Sequence, residues 1–321
     1  MAKQLIFLLI IILLLPVWGK SQAMDNSFVF RNISSDKYFR INYENDFFTA
    51  SDRDYTQGIL IEKVNPAFTR FPLMKLLWHP SNSVIKYGLA IEHNAYTPNE
   101  IDRYAIQYGD RPFAGVLLFK TFLIAENFAK HLRTSVSLST GIIGPAAGGE
   151  QMQRTIHHWI NYIQPQGWHN QIQNNLALNY QVNAEKELFQ FENHFSLSAI
   201  ASARLGSLSD KLAGGFTAML GSFQSPFHTP QSKRSFQWYL YGQLAANAVA
   251  YDASLQGGLF NRSSVYTIPA TSVSRWTLQN KFGIVLVFHA LYLEYYHTGT
   301  TQEFSSSIYH RTGGLQIGFG F

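Results

Sequence analysis

The sequence predicts an all-β fold, a transmembrane antiparallel β-barrel of about 12 strands with one α-helix in an extracellular loop. Three observations predict it: an export signal on a chain without cysteine, a composition rich in aromatics and poor in charge, and a C-terminal segment of strict alternation.

The first 23 residues open with Lys3, continue as an apolar run from Leu5 to Trp18, and leave through Ser21-Gln22-Ala23. A positive end, a short apolar stretch and a small-residue exit make a secretory signal peptide. The run is about 14 residues, short of the roughly 20 that a spanning helix needs. Removal of residues 1–23 leaves 24–321 as a single domain and, with Lys3 and Lys20 gone, lowers the formal charge from +5 to +3. So mild a balance, with no run of Lys or Arg, argues against nucleic acid as a partner. An exported chain with no cysteine needs a source of stability other than disulfides. Aromatics make up 15% and charged residues only 14%, where about 25% charge is usual. With no further run of 18 apolar residues, lipid must be crossed by strands closed on themselves.

The last segment, LQIGFGF, sets Leu315, Ile317, Phe319 and Phe321 on one face and Gln316, Gly318 and Gly320 on the other. Apolar-out, small-or-polar-in is the barrel pattern. A last strand ending in Phe also resembles the signal read by the barrel assembly machinery during biogenesis. Eleven earlier segments repeat the pattern, from YFRINYENDFF (38–48) and TQGILIEKV (56–64) to RWTLQNKFGIVLV (275–287) and HALYLEYYHTG (289–299). In the early ones Glu44, Glu62 and Glu92 are in phase with Asn42, Gly58 and Ala90 and so face the lumen, where Arg and Lys can pair with them.

Alternation stops after Ile143. GPAAGGEQMQRTIHHWINYIQPQGWHNQ opens on Gly144 and Pro145, then runs without Gly or Pro from Glu150 to Ile163, which predicts a loop helix over about 150–163 that ends before Pro165 and Gly167. On it Gln153 and His157, four apart, share a face, while His158 is rotated by roughly 100°. Met152, Ile156, Trp159 and Ile163 form an apolar stripe suited to packing on the wall or dipping into lipid. Histidine takes a proton near neutral pH, which makes a helix-held imidazole a candidate base.

Its candidate counterpart is YENDFFTASDRDYTQG, with Asn45, Asp46 and Thr56 around a polar turn containing Asp52 and Asp54. Carboxylate, amide and hydroxyl oxygens suit a hard cation such as calcium. Strict alternation turns Asp46 inward and Asn45 outward, so one shared site requires either a bulge or a position at the rim. An ordinary turn uses the same residue types.

Taken in order, these words resemble the outer-membrane lipid A 3′-O-deacylase family of the LpxR type. The resemblance rests on Asn45-Asp46, Asp54-Tyr55-Thr56 with Gly58, Tyr96-Thr97-Pro98, Gly109 to Gly115 (GDRPFAG), Gly141 to Pro145 (GIIGP), Gln153 with His157, and Gly167-Trp168 with Gln171. It implies a barrel in the bacterial outer membrane with its site between the wall and a loop helix. It further implies lipid A of lipopolysaccharide as substrate, surrounding outer-membrane lipids as partners, and Ca2+ as cofactor. By the same resemblance His157 is the base, Asn45 and Asp46 hold the metal, and Thr56 and Gln153 complete the site. A family lysine that polarises the ester has no match in NEIDRYAI, where Arg103 is the nearest cation.

No Gly-x-Ser-x-Gly elbow occurs, which favours water over serine as nucleophile. Two other readings stand beside this one. A phospholipase or other lipid esterase would pair His157 or His158 with a serine such as Ser135, Ser137 or Ser139. A non-enzymatic porin-like barrel would use the helix as a plug or anchor.

Overall fold

The computed structural model describes residues 33, 35–46, 55–229, 235–307 and 310–321; the expected signal peptide, residues 1–23, and the Asp52 and Asp54 positions lie outside them. These residues form twelve strands in one closed antiparallel barrel, each paired with its sequence neighbours, with β1 meeting β12. The strands are β1 Tyr38–Asn45, β2 Gln57–Val64, β3 Val84–Tyr96, β4 Ala114–Asn127, β5 Leu132–Ile143 and β6 Asn175–Phe191. They continue as β7 Phe195–Gly206, β8 Ser209–Ser222, β9 Phe236–Asp252, β10 Trp276–Phe288, β11 Leu291–Thr300 and β12 His310–Gly320.

Closure follows from the alternation of the first and last strands. Tyr38 pairs with Gly320, Ile41 with Ile317 and Asn42 with Gln316, so apolar faces apolar and polar faces polar across the seam. Ile317 and Phe319 point out to lipid, while Gln316 is buried in the lumen. The same phase puts Ile41, Ile61, Phe282 and Ile284 on the outside, the apolar band that lets a barrel sit in a bilayer.

The bore is filled. Tyr38, Ala90, Phe122, Met219, Tyr239, Tyr241, Val285, Tyr292 and Tyr296, contributed from both sides of the barrel, make one contiguous buried cluster. The lumenal acids are partnered as their phase predicts: Arg40 pairs with Glu62 at 2.5 Å and Lys120 pairs with Glu92. Glu44 instead accepts from the phenols of Tyr55 at 3.2 Å and of Tyr296. Gly314 leaves room for this, since a Cβ there would lie 2.3 Å from Tyr296 Cζ.

Both described chain ends lie at one end of the barrel, with the short turns 128–131, 192–194 and 289–290 and the connections 65–83 and 223–235. At the other end are the connections 97–113, 144–174, 253–275 and 301–309 and the two-residue turn 207–208. Short turns on the periplasmic side and long loops outside is the outer-membrane arrangement, and it puts the loop helix at the outer surface. An unforeseen feature covers the opposite end. Two short 3-10 turns, Pro66–Arg70 and Pro72–Leu76, lay Phe68, Phe71, Met74 and Leu77 over Leu123, Ala125 and Val136 on the outer wall.

The outer loops are tied together inside the mouth by GDRPFAG. Arg111 donates to Glu303 at 2.7 Å and to Ser254 at 3.0 Å, and its guanidinium lies 4.5 Å from the Tyr96 ring centre. Arg111 and Glu303 are almost wholly buried, so removing one leaves the other charged in a dry site. Glu303→Ala is expected to destabilise the folded barrel by about 3–5 kcal/mol. An unchanged denaturant midpoint in detergent would contradict this.

Candidate active site between the barrel wall and the loop helix

The loop helix, α1, spans Gly149–Trp159 and so ends four residues short of the predicted Ile163. Its stop is a Schellman turn. Asn161 takes the left-handed conformation with φ +52°, and Tyr162 N–H donates to His157 C=O at 2.8 Å while Asn161 N–H donates to His158 C=O at 3.3 Å. Asn tolerates that backbone better than most residues, so the helix ends before Pro165 needs to end it.

The face that α1 buries is Gly149, Gln153 and His157, spaced by four. Gly149 sits against Gly115 of β4, where a Cβ would lie 3.0 Å from Gly115 Cα and 2.7 Å from Trp168 Cη2. Close backbone approach is what glycine allows. Gly115, Ala95 and His93 occupy outward positions of β4 and β3, and the polypeptide from Pro145 to His157 covers them. His93 Nε2–H donates to Ala147 C=O at 3.0 Å. The apolar stripe is only partly covered. Met152 and Ile156 are half-buried, and Trp159 and Ile163 are 77% and 53% exposed.

His157 and His158 are unequal. His158 is exposed, whereas His157 is buried and its ring meets Tyr162 edge-on at 5.2 Å. His157 Nδ1 lies 2.5 Å from Ile163 C=O. A carbonyl can only accept, so Nδ1 carries the proton, and in the neutral ring Nε2 holds the lone pair. The imidazole is therefore fixed in the tautomer a base requires.

Gln153 joins the helix to the rim of the barrel. Its Oε1 accepts from Trp168 Nε1–H at 2.6 Å, and its Nε2 donates to Thr56 Oγ1 at 3.4 Å. Thr56 in turn shares a 2.6 Å hydrogen bond with Thr97. Trp168 packs on Phe113 at 5.0 Å. Words that are far apart in sequence, Tyr55-Thr56, YTP, RPF, the Gln153 turn and GW, thus meet in one place. Trp168→Phe would keep the ring and delete the donor, leaving Gln153 Oε1 without it. The expected result is a roughly tenfold lower turnover, equivalent to about 1.4 kcal/mol, with the barrel still folded. Full activity in that variant would show that Gln153 needs no tether.

Asn45 and Asp46 fall where alternation ends. β1 stops at Asn45, so the rim position, and not a bulge, resolves the conflict in the sequence pattern. Asn45 lies on the outward side, with its amide N–H donating to Tyr43 Oη at 3.0 Å, and Asp46 is wholly buried. The β1–β2 pairing ends at Glu44 with Gly58, and Asp46 and Thr56 each lie two residues beyond it, both buried. Carboxylate, amide carbonyl and hydroxyl at one rim are an all-oxygen donor set, which fits a hard divalent cation. Tyr55 reaches inward, donating to Asn94 Oδ1 at 2.9 Å. Burial first, and then the Glu44 carboxylate, hold its phenol well above the usual range, so it remains a donor.

Arg103 is not part of this arrangement: it is exposed and pairs with Glu100 at 3.2 Å. Ser135, Ser137 and Ser139 face the lumen with their β4 partners Ile124, Phe122 and Lys120, and Ser135 accepts from Asn183 at 3.0 Å. They are on the inner side of the wall and α1 is on the outer side. Residues that sequence reasoning left out of the site are His93, Thr97 and Trp168. The signal for His93 was present, since a histidine next to Ala95 and opposite a run ending in Gly115 interrupts an otherwise apolar outward face.

A family model described as outer membrane protein LpxR matches residues 5–321. Among solved structures, LpxR from Salmonella typhimurium matches with a TM-score of 0.71 at 19% identity, covering 88% of this chain and 100% of that one. The β-domain of the Bordetella autotransporter BrkA matches with a TM-score of 0.48 at 9% identity, covering 89% of this chain and 98% of that one. No curated protein sequence matches. With the family model running along the whole barrel and its loop helix, this chain belongs to the LpxR family of outer-membrane proteins.

Proposed function

We propose that this chain is a calcium-dependent lipid A 3′-O-deacylase that hydrolyses the 3′-linked acyloxyacyl ester in the outer leaflet with a water activated by His157. Membership of the LpxR family supports the coarser part of this reading, an outer-membrane lipid A deacylase. The observation that carries the finer part is the His157 imidazole, buried against the wall with Nδ1–H committed to Ile163 C=O at 2.5 Å.

That geometry makes Nε2 the atom that takes a proton from water. The water oxygen bonds to the ester carbon, the bond from that carbon to the sugar oxygen breaks, and the imidazolium returns its proton to the leaving sugar oxygen. Gln153 and Thr56 provide a fixed amide and hydroxyl on the same rim, groups that orient an ester and its oxyanion. Asn45 and Asp46 are the residues that would hold calcium. Calcium, when bound, supplies positive charge for the oxygen that turns negative. The exposed Trp159 and Ile163 suit an approach of acyl chains from the membrane plane.

Mass spectrometry of lipid A from cells expressing the chain tests the reading. The wild type is expected to remove the 3′ chains, and chelation of calcium to stop it. Unaltered lipid A together with robust channel conductance would support the porin-like reading instead. Loss of activity on Ser→Ala changes, with Asp46→Ala still active, would support a serine esterase.

A further inference from the structure

At the periplasmic end, three side chains from separate elements converge. His131 comes from the β4–β5 turn, Glu187 from β6, and His228 from the connection after β8. Their ligating atoms all lie within 4.8 Å of one another. Glu187 Oε2 accepts from His131 Nδ1 at 2.9 Å and from His228 Nε2 at 2.7 Å, and the two rings stand edge to face at 4.3 Å.

The backbone is shaped to bring them together. His131 has φ +48°, and its carbonyl accepts from Glu187 N–H at 3.0 Å. The pairing of β6 with β7 shifts register between Glu187 and Phe189, and such a bulge re-aims a side chain. Glu187 is buried, and its other oxygen, Oε1, accepts from Ser225 at 2.8 Å and Ser196 at 3.2 Å. Those bonds orient the carboxylate so that Oε2 faces the two rings, as outer partners do around metal ligands. The rings are 41% and 43% exposed and border an open cleft that also carries Gln190, Glu192 and Asn193.

We propose that His131, Glu187 and His228 form a site for a divalent transition metal of the zinc type, with a further coordination position open to the periplasm. Two imidazoles and one carboxylate are a set that zinc accepts, whereas calcium takes oxygen almost exclusively. Tetrahedral bonds of about 2.0–2.1 Å separate ligand atoms by roughly 3.4 Å. Bringing atoms that lie within 4.8 Å of one another to that spacing takes ring rotations that shift them by up to about 1.4 Å, which two half-exposed rings can make. This site is at the opposite end of a filled bore from Asp46 and His157 and does not depend on the lipid A reading.

The test is calorimetric titration of Zn2+ into the full chain in detergent, purified without a polyhistidine tag, with Co2+ absorption as a second readout. The expected result is one saturable ion per chain with tetrahedral Co2+ bands. His228→Ala and Glu187→Gln are expected to weaken binding by about 100-fold or more, while Asp46→Ala leaves it unchanged. Heat-modifiable migration on gels shows that each variant is folded, and His228, on a connection outside the strands, is the variant least able to disturb the barrel. Absence of saturable Zn2+ binding by the wild type, or equal binding by the folded variants, overturns the proposal.

Discussion

His157→Ala is expected to lower release of 3′ acyl chains by about 10²–10⁴-fold, the usual contribution of a general base, while His158→Ala leaves it within a few-fold of wild type. The two residues are adjacent, similar in chemistry and on the same helix, so the pair is its own control. Only His157 is buried on the face shared with Gln153 and has its tautomer set by Ile163 C=O. His157→Gln is expected to fail as well, since an amide can accept a hydrogen bond and cannot take a proton at neutral pH. Lipid A mass spectra with matched outer-membrane levels measure this. Activity that survives His157→Ala and is lost in His158→Ala would reverse the assignment.

Asp46→Ala is expected to lower turnover by about 10²–10³-fold, the size of effect seen when a fixed electrostatic stabiliser is removed. The more telling measurement is the calcium dependence. Wild-type activity should titrate with free calcium, and chelation should add little to the loss already present in Asp46→Ala. Asn45→Ala, which removes a neutral ligand, is expected to raise the calcium concentration required more than it lowers the maximum rate. Equal sensitivity of wild type and Asp46→Ala to chelation would place the metal away from Asp46.

Much of this molecule was legible in its alternation. The phase of Glu44 and Glu62 foretold burial, and LQIGFGF foretold which side of β12 faces lipid, because a period of two admits only one division into faces. The helix was found from a break in that period and overrun at its end, since Asn161 is a weaker signal for a Schellman turn than a Gly would be. Its docking face was half legible. Gln153 and His157 were read on one face, and that face, with Gly149, is the buried one; the apolar stripe suited either the wall or lipid, and its Trp159 and Ile163 stay exposed. The 3-10 turns over Leu123 and Val136 escaped notice for a different reason. Phe68, Phe71, Met74 and Leu77 recur every third residue, the period of a 3-10 helix, which a search for periods of two and 3.6 passes over. The meeting of Gln153 with Thr56 and Trp168 is a matter of tertiary contact between the 144–174 connection and the start of β2, which no local pattern encodes.

The packed interior of the barrel bears on how its two ends can communicate. Among the described residues Phe122, Tyr239, Tyr241, Tyr292 and Tyr296 form one contiguous buried cluster across the bore, the filling expected of a barrel that serves as a scaffold and not of a wide aqueous channel. Low conductance of the purified chain in planar bilayers is the outcome expected of such a barrel.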